Sequence, residues 1–404
     1  MFLTPTARRL ARAQVRSIPL NKPISIVAEV LQPRRQSTAA ASSTGNSPQT
    51  IFSGIQPTGV PHLGNYLGAL QQWVKLQNGA APDTTLLYSI VDLHAITVRE
   101  NLAHRRRWKR EMLATLLAIG LDPNRSIVYC QSEVPAHAEL QWILGCDASY
   151  GYLSRMTQWK SKLDLPDNAD PLDESSTMKL KAGLFNYPVL QAADILLHRA
   201  THVPVGQDQQ QHLEFARRCA NSFNSHYGRT LIPPQTLLSP AKRIMSLDRP
   251  SLKMSKSHVN PSSRILLTDS KSAIAKKVRA AVTDSILGVS YDPINRPGVS
   301  NLVDIMFYIT SSDSDTGAST QHDLAHDLQD LSMRAFKERV TDAIDSHLAP
   351  MRERYEAIIS DRGSLLTDAA AVGREKATAS AVVTMERVRE AVGLDMPWEF
   401  PRQP

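Results

Sequence analysis

Residues 50–70 read TIFSGIQPTGVPHLGNYLGAL, and this stretch indicates the fold class. Its first part, 50–56, is an apolar run typical of a buried strand, and prolines and a glycine interrupt the chain at 57–61. A helix is then predicted to open at about Gly64, because large apolar side chains return at helical spacing, at Leu67, Leu70 and Trp73. A strand, a glycine-containing turn and a helix in this order are typical of the first unit of an α/β fold.

The next part of the chain repeats this alternation. Three further runs read as strands, Thr85–Val91, Ser126–Gln131 and Thr201–Val205. A helix is predicted between the first two of them, at 102–119. Strands separated by helices predict a doubly wound parallel sheet of the Rossmann-like class, in which ligands bind at the carboxyl ends of the strands. The segments that follow three of the strands should therefore converge, Gln56–Asn65, Asp92–His94 and Gly206–Gln209.

The C-terminal third is predicted to be mainly helical, since strand patterns end at about Ser270. Helices are expected at Lys271–Val282, Asn301–Tyr308, Asp323–Leu348 and Thr378–Val392. Two polar stretches read as loops or insertions, 163–181 and 311–320. These patterns divide the chain into a leader, an α/β domain and a helical domain, at 1–48, 49–268 and 269–404.

The leader carries most of the net charge. The 404 residues have a net charge of +7, and the leader holds seven basic residues against the single acid Glu29. The rest of the chain is left with about +1, so nucleic-acid binding there must come from local patches. Four arginines recur at helical spacing ahead of a small-residue stretch, Arg8, Arg9, Arg12 and Arg16.

This composition is that of a mitochondrial transit peptide, and a disordered basic tail is the alternative reading. We therefore expect import into the mitochondrial matrix, with cleavage near Arg35. No apolar run approaches the roughly 18 residues of a membrane-spanning helix. The three cysteines have neither an even count nor C-x-x-C spacing, so we expect reduced, buried thiols and no metal site at Cys130, Cys146 and Cys219.

Two motifs carry the chemistry. The turn Pro61–Gly68 combines Gly64, which allows close backbone approach to a nucleotide, with a helix start that offers N–H groups to phosphates. His62 and Asn65 lie on this turn as hydrogen-bond donors. The second motif is Lys253–Ser257, KMSKS, whose two lysines can follow a leaving pyrophosphate as point charges.

In this order along the chain, the two motifs resemble the HIGH and KMSKS signatures of class I aminoacyl-tRNA synthetases. Longer matches resemble the tryptophanyl-tRNA synthetases, in their bacterial and organellar branch, over roughly residues 50–400. The matching segments are Gly54–Gly59, Val91–Thr97, Arg155–Gln158, Tyr187–Leu196, Val203–Gln209 and Arg243–Leu247.

The resemblance implies roles for individual residues. Catalytic roles are expected for His62, Asn65, Lys253 and Lys256. The implied ATP site is lined by Gln56, Pro57, Thr58, Gly64, Asn65, Gly206, Gln207, Asp208 and Ile244, with the phosphate loop Lys253, Met254, Ser255, Lys256 and Ser257. The implied tryptophan site has Asp194 facing the indole N–H, His94 and Gln209 holding the amino acid, and walls from Phe52, Tyr187, Gln191, Val203 and Val205.

Physical chemistry supports the expectation for Asp194 independently. Tryptophan offers a single side-chain polar group, a donor N–H, so its pocket needs an acceptor at the end of an apolar slot. Three positions depart from the pattern that many relatives show, His62, Gln191 and Gln207, and the last two leave pocket and ribose contacts open. The run Arg105–Arg110, RRRWKR, reads as a solvated helix face, with RNA contact as the alternative.

The resemblance also implies the reaction and the partners. ATP, with Mg²⁺, activates tryptophan to tryptophanyl-adenylate, and the aminoacyl group passes to the 3′ end of tRNA(Trp). The helical domain at 269–404 should read the anticodon, where unstacked bases are accessible. A homodimer is expected. The alternatives are a tyrosyl-tRNA synthetase, a HIGH-type nucleotidyltransferase, and an RNA-binding paralogue that assists splicing.

Overall fold

A computed structural model of the chain describes residues 48–395, apart from 99, 164, 167, 178, 207, 208, 239–242, 257 and 311–318. The predicted transit peptide thus lies outside the described residues, except for its last position. The described residues belong to one compact unit. The boundary at 268/269 stays a prediction. In the part of the chain that the structure describes, no helix is long and apolar enough to cross a membrane.

Within the described residues, five strands form one sheet: β1 Thr50–Ile55, β2 Thr85–Ile90, β3 Ile127–Cys130, β4 His202–Val205 and β5 Gln235–Leu238. The strand order is β3-β2-β1-β4-β5 and every pairing is parallel. The predicted parallel sheet is therefore confirmed. The strand β5 was not expected, because four residues with polar members at one end are too short to show a strand pattern.

Helices connect and cover the strands. The first is continuous, with Leu63–Asn65, a π turn at Tyr66–Leu70 and Gln71–Gly79 forming α1 (63–79). The others in the catalytic half are α2 Asp92–Ala95, α3 Leu102–Ala118, α4 Ala136–Asp147, α5 Tyr150–Ser154, α6 Thr157–Lys162, α7 Glu174–Thr177, α8 Ala182–Leu197 and α9 Gln210–Tyr227. The C-terminal helices are α10 Lys271–Ala280, α11 Pro297–Thr310, α12 Gln321–Asp327, α13 Met333–Ser360 and α14 Leu365–Val392.

Two helix predictions need correction. The helix expected at Asp323–Leu348 is two helices, because the Ser332 side chain accepts a hydrogen bond from the Ala335 N–H and so begins α13 as a new helix. The helix expected from Thr378 begins at Leu365. The predicted loop at 163–181 also contains the short helix α7.

The sheet separates two hydrophobic cores. Successive residues of a strand point to opposite faces, and accordingly Ile51 belongs to one core and Phe52 to the other. The first core joins α1 and α3 to helices α10–α13, and it extends from Ile51 to Leu348. The second core joins α4, α8, α9 and α14. Both faces of the sheet are thus covered, as the apolar strands require.

Helix α14 covers the edge strand β3. A Cβ atom added to Gly373 would overlap the carbonyl oxygen of Val128 on β3, so only glycine permits this approach. Near the same end, the Lys376 side chain donates to the Pro123 carbonyl over 2.8 Å. The C-terminal helix therefore protects an exposed strand edge, which would otherwise be open to pairing with other chains.

One of the three cysteines departs from the expectation that all three are buried. Cys130 and Cys219 are buried as expected, whereas Cys146 is exposed. Cys146 lies near the end of α4, on the side of that helix that faces away from the second core.

Candidate active site

The site lies at the carboxyl ends of the central strands. The chain order reverses between β1 and β4, which are neighbours in the sheet, and such a reversal leaves a crevice between the loops that follow the two strands. The loop after β1 contains the first motif, and the loop after β4 contains Gly206. Parallel pairing brings the end of β2, with Asp92 and His94 beyond it, to the same edge.

The first motif is held by reciprocal hydrogen bonds. The His62 Nδ1 atom accepts from the Asn65 N–H over 3.1 Å, and the Asn65 Oδ1 atom accepts from the His62 N–H over 3.2 Å. Burial, together with the charges of Lys256, Arg264 and Lys253, lowers the pKa of His62 to about 3. His62 is therefore neutral at physiological pH, and its donor group is Nε2–H, because Nδ1 is used as an acceptor.

The first motif is also joined to the segment that follows the second motif. The Leu63 N–H donates to the Ile265 carbonyl over 2.8 Å, and the Leu267 N–H donates to the Pro61 carbonyl over 3.1 Å. An added Cβ at Gly64 would lie 3.1 Å from His62 Nδ1 and 3.4 Å from the Cβ of Met254. Glycine thus leaves room for the His62 ring at the start of α1, where the KMSKS segment also packs.

Lys256 bridges the two motifs. Its Nζ donates to the Gly59 carbonyl over 2.7 Å, and to the carbonyl and hydroxyl oxygens of Thr58, each over 3.3 Å. Burial lowers the pKa of Lys256 to about 8, with Glu111 opposing this shift and Arg264 adding to it. A cation on backbone carbonyls can exchange these partners for phosphate oxygens.

Five of the other predicted ATP-site residues lie in two places, the loop after β1 and the first core. Gln56 is half-buried, Pro57 is buried and Thr58 is exposed in the loop after β1. Ile244 and Met254 are buried in the first core, and the Met254 N–H donates to the Ile244 carbonyl over 3.0 Å.

The remaining members of the predicted ATP site lie on two loops. The Lys253 side chain is exposed and Ser255 is half-buried. Gly206 accepts a hydrogen bond from the Gln209 N–H over 3.0 Å. Gln207, Asp208 and Ser257 lie outside the described residues.

One face of α8 carries the predicted tryptophan pocket. Tyr187, Gln191 and Asp194 recur at spacings of four and three residues, which places them on the same side of the helix. The Tyr187 hydroxyl donates to Gln158 Oε1 over 3.0 Å. Gln191 Nε2 donates to Gln209 Oε1 over 3.3 Å, which links α8 to the start of α9.

Asp194 is the centre of a buried polar cluster. Its side chain accepts from Gln131 Nε2 over 2.6 Å at Oδ1, and its Oδ2 lies 2.8 Å from His94 Nε2. His137 Nδ1 lies 2.7 Å from Oδ1, although this nitrogen is not aligned for a hydrogen bond. Burial alone would raise the pKa of Asp194, but the contacts with His137 and His94 outweigh it and lower the pKa to about 2.

Gln131 and His137 are not among the residues predicted from sequence. Gln131 directly follows β3, so the rule that strand ends converge could have identified it, and it also accepts the Leu93 N–H over 3.1 Å. His137 has no such signal, because it comes from α4 and reaches the site through helix packing.

The remaining pocket residues lie on the neighbouring strands. Phe52 of β1 is buried, and its ring stacks on His198 with a centroid separation of 6.0 Å. Val203 is buried and Val205 half-buried on the same face of β4. Phe52 and Val203 are part of the second core, and Val205 packs against it.

Part of the basic run Arg105–Arg110 makes contacts within the protein. Lys109 Nζ lies 2.6 Å from Asp92 Oδ2, and Arg110 donates to the Ile359 carbonyl over 3.0 Å. The half-buried Trp108 packs over Gly59 of the nucleotide loop. Arg106 and Arg107 are exposed, which fits the predicted solvated face.

Comparison with known proteins agrees with this geometry. Residues 44–349 match the family described as tRNA synthetases class I (W and Y). The mitochondrial tryptophan–tRNA ligase of Schizosaccharomyces pombe is 45% identical over 353 residues, which cover 86% of this chain and 96% of the relative. The mitochondrial tryptophan–tRNA ligase of Saccharomyces cerevisiae is 42% identical, covering 86% of this chain and 92% of the relative.

Solved structures are similar over the same region. The tryptophanyl-tRNA synthetase of Mycoplasma pneumoniae has a TM-score of 0.74 at 30% identity, covering 86% of this chain and 99% of that one. The Campylobacter jejuni enzyme, in complex with ADP and tryptophan, has a TM-score of 0.69 at 28% identity, covering 85% and 100%. With its two signature motifs joined through Lys256 at the crevice of a parallel sheet, this chain belongs to the class I tRNA synthetases of the tryptophan and tyrosine family.

Proposed function

We propose that the protein is a mitochondrial tryptophan–tRNA ligase. The observation that carries the choice of amino acid is Asp194, a carboxylate only 1% exposed on a helix whose neighbouring buried side chains are apolar. Its contacts include His94 and Gln131, which follow the carboxyl ends of β2 and β3. The names of the two yeast relatives support the same activity and compartment.

The first step joins tryptophan to AMP. The carboxylate oxygen of tryptophan attacks the α-phosphorus of ATP, and the bond from that phosphorus to the β-phosphate bridge oxygen breaks to release pyrophosphate. No side chain need act as a covalent nucleophile, so catalysis consists of positioning and charge stabilisation. Lys253 and Lys256 supply positive charge, and His62 Nε2–H and the Asn65 amide supply donors. Mg²⁺ enters with ATP as part of the substrate.

Tryptophan is recognised through an oxygen of Asp194. A carboxylate oxygen accepts about two hydrogen bonds. Oδ1 has Gln131 and His137 against it, whereas Oδ2 has His94 as its polar neighbour among the described residues. Oδ2 therefore retains an acceptor position, and we infer that the indole N–H binds there. His94 then acts through Asp194 as well as on the amino acid.

The second step transfers the tryptophanyl group to a ribose hydroxyl of the terminal adenosine of tRNA(Trp), the 2′-hydroxyl by family resemblance. The helical region 269–404 would read the anticodon, and the dimer expected of the family would provide two such sites. Sedimentation of the purified protein, with and without tRNA, tests the oligomeric state directly.

Amino-acid-dependent ATP–pyrophosphate exchange tests the proposed activity. Protein lacking residues 1–48 would be assayed with tryptophan, tyrosine and phenylalanine in parallel. Exchange should depend on tryptophan, because the indole N–H supplies a donor for the buried Asp194 carboxylate. Exchange driven by tyrosine would instead support the tyrosyl-tRNA synthetase alternative, and none with any amino acid would support a non-catalytic RNA-binding protein.

A further inference from the structure

Asp194 is the end of a longer chain of buried polar groups. The Tyr129 hydroxyl lies 3.1 Å from His137 Nε2 and 2.8 Å from His198 Nε2. The other nitrogen of His198, Nδ1, lies 3.1 Å from Ser380 Oγ on α14. His137 and Tyr129 are both 0% exposed and His198 is 3% exposed. The chain thus runs from the pocket carboxylate through β3 and the end of α8 to the C-terminal helix.

These contacts favour one direction for the hydrogen bonds of the chain. Burial lowers the pKa of His198 well below its ordinary value, so this ring is neutral, with one donor and one acceptor nitrogen. Asp194 Oδ1 lies 2.7 Å from His137 Nδ1 and attracts a hydrogen at that nitrogen, although the two atoms are not aligned for a hydrogen bond. With its hydrogen there, His137 accepts at Nε2 from the Tyr129 hydroxyl. The Tyr129 oxygen then accepts from His198 Nε2–H, and His198 Nδ1 accepts from the Ser380 hydroxyl.

The direction of these bonds has an electrostatic consequence. Each donor in the chain points towards Asp194, and hydrogen bonds in series polarise one another in a low-dielectric interior. A buried carboxylate is costly unless charged or polar donors compensate it. The chain supplies that compensation at Asp194 Oδ1, and it leaves Oδ2 with His94 as its polar neighbour among the described residues.

We propose that His137, held by Tyr129 and His198, is a positioning residue that keeps Asp194 oriented for the indole N–H and thereby sets selectivity for tryptophan. This inference rests on the proposed role of Asp194. None of the three residues touches the substrate, so their effect must appear in the selectivity for the N–H group and not in the chemistry of ATP.

The test compares tryptophan with β-(3-benzothienyl)alanine, which has the same shape but carries sulfur where indole has N–H. ATP–pyrophosphate exchange would give kcat/KM for both amino acids in each variant, and melting temperatures would verify folding. In His137→Leu, kcat/KM for tryptophan should fall by about 10- to 100-fold, the loss expected for a hydrogen-bonded charged group, while kcat/KM for the sulfur analogue stays within about twofold.

Matched substitutions separate positioning from packing. An asparagine amide can place its nitrogen near the position of His137 Nδ1, and a glutamine amide near that of Nε2. His137→Asn should therefore retain most of the selectivity, whereas His137→Gln should lose it. Tyr129→Phe should reduce selectivity by about fivefold, the usual worth of one hydrogen bond, and Ser380→Ala by less than about twofold.

The outcomes distinguish this inference from the proposed function. Asp194→Asn serves as the reference, since it should lower the preference for tryptophan over the sulfur analogue by itself. If Asp194→Asn lowers this preference while folded His137→Asn, His137→Gln and Tyr129→Phe all match the wild type, the inference is overturned and the role of Asp194 stands. Equal losses for both amino acids in the His137 and Tyr129 variants would likewise overturn it, because they indicate a purely structural role.

If Asp194→Asn keeps the full preference, the proposed tryptophan contact is itself wrong. If His137→Leu does not fold, the inference is tested by comparing the selectivity for tryptophan of His137→Asn with that of His137→Gln.

Discussion

At the scale of single residues, Lys256 shows how one side chain can serve two states. In this structure its ammonium group is held by the Gly59 and Thr58 carbonyls, which belong to the loop that would carry ATP. Neutral carbonyls bind a cation less strongly than phosphate oxygens do, because hydrogen bonds between charged groups are stronger. A single exchange of hydrogen-bond partners would thus bring Lys256 to the phosphates. Its contribution to stabilising the transition state should grow as charge moves towards pyrophosphate.

Lys256→Ala should lower the rate of tryptophanyl-adenylate formation by about 10²-fold or more, with little change in tryptophan affinity. Pre-steady-state measurement of adenylate formation checks this, and Lys271→Ala, at an exposed ion pair outside the site, is the matched control. A variant that kept its rate and lost only ground-state ATP binding would contradict the transition-state role.

The lowered pKa of Lys256 predicts an alkaline limit to activity. Its pKa of about 8 in the free protein means that its charge is present at pH 7 and is lost as the pH rises through 8. The kcat/KM for ATP reports groups of the free enzyme, so it should fall above pH 8. Because arginine stays charged, Lys256→Arg should have lower activity but no such limb between pH 7 and 9.5.

The same pH series contains its own control. The amino group of tryptophan titrates identically with either enzyme, so only the difference between the two profiles is assigned to Lys256. Identical alkaline limbs in wild type and Lys256→Arg would assign the fall to another group.

Asp194 predicts the selectivity of the pocket. An indole N–H that loses water in an apolar slot needs an acceptor, and Asp194→Ala should cost tryptophan activation about 1–3 kcal/mol. Phenylalanine has no N–H to leave unsatisfied, so its weak activation should hardly change. Exchange assays with both amino acids check this. Equal losses for the two would mean that Asp194 only supports the fold.

At the scale of elements, the close contact between α14 and β3 is the most constrained packing. Gly373 faces backbone atoms of Val128, which cannot rotate away as a side chain can. The Arg389 guanidinium adds a bidentate contact with Glu139 of α4, at 2.7 and 2.6 Å. Helix α14 is therefore fixed to the catalytic half at both ends, and it also holds Ser380 against His198.

Gly373→Ala should lower the free energy of unfolding by about 1–3 kcal/mol, the range of overpacking in a tight interior. Denaturant unfolding checks this. Gly79→Ala is the control, because an added Cβ there meets no atom within 4 Å, and its stability should be unchanged or slightly raised. Equal stability of the two variants would mean that α14 shifts on β3 without cost.

At the scale of the whole molecule, the net positive charge and the first hydrophobic core lie in different parts of the chain. The leader holds six of the seven net positive charges, whereas one hydrophobic core joins strand residues to helices as far as Leu348. The nucleotide loop and the helical region thus share packed side chains. Contact with an acidic partner such as RNA must come from local groups, for example the exposed Arg106 and Arg107.

The leader should be sufficient for import. Residues 1–36 fused to a fluorescent reporter should enter mitochondria of a fungal cell, because a basic amphipathic helix is the form of such signals. A fusion with Arg8, Arg9, Arg12 and Arg16 changed to glutamine should remain cytosolic. If the unchanged fusion stayed in the cytosol, the proposed location would be wrong and the enzymatic proposal would be unaffected.

Sequence alone determined the elements that depend on local pattern. The strand at 50–56, the turn at Pro61–Gly68 and the helix at 102–119 follow from apolar periodicity and from proline and glycine, whose effects are local. Convergence of the loops after β1, β2 and β4 was also predictable, because parallel strands share an edge for their carboxyl ends. The strand β5 was not predictable in this way, since its four residues show no distinctive apolar periodicity.

Only the tertiary structure decided which side chains surround Asp194. Gln131 contacts it from the end of β3, across 63 residues of sequence, and His137 from α4. Behind them, Tyr129 and His198 contact each other across 69 residues. Such contacts depend on how helices pack on the sheet, and no local pattern encodes that packing. The same reason applies to Lys256, whose contacts with Thr58 and Gly59 span nearly 200 residues. Burial then lowers the pKa values of His198 and Lys256, and burial arises from the whole fold and not from neighbours in sequence.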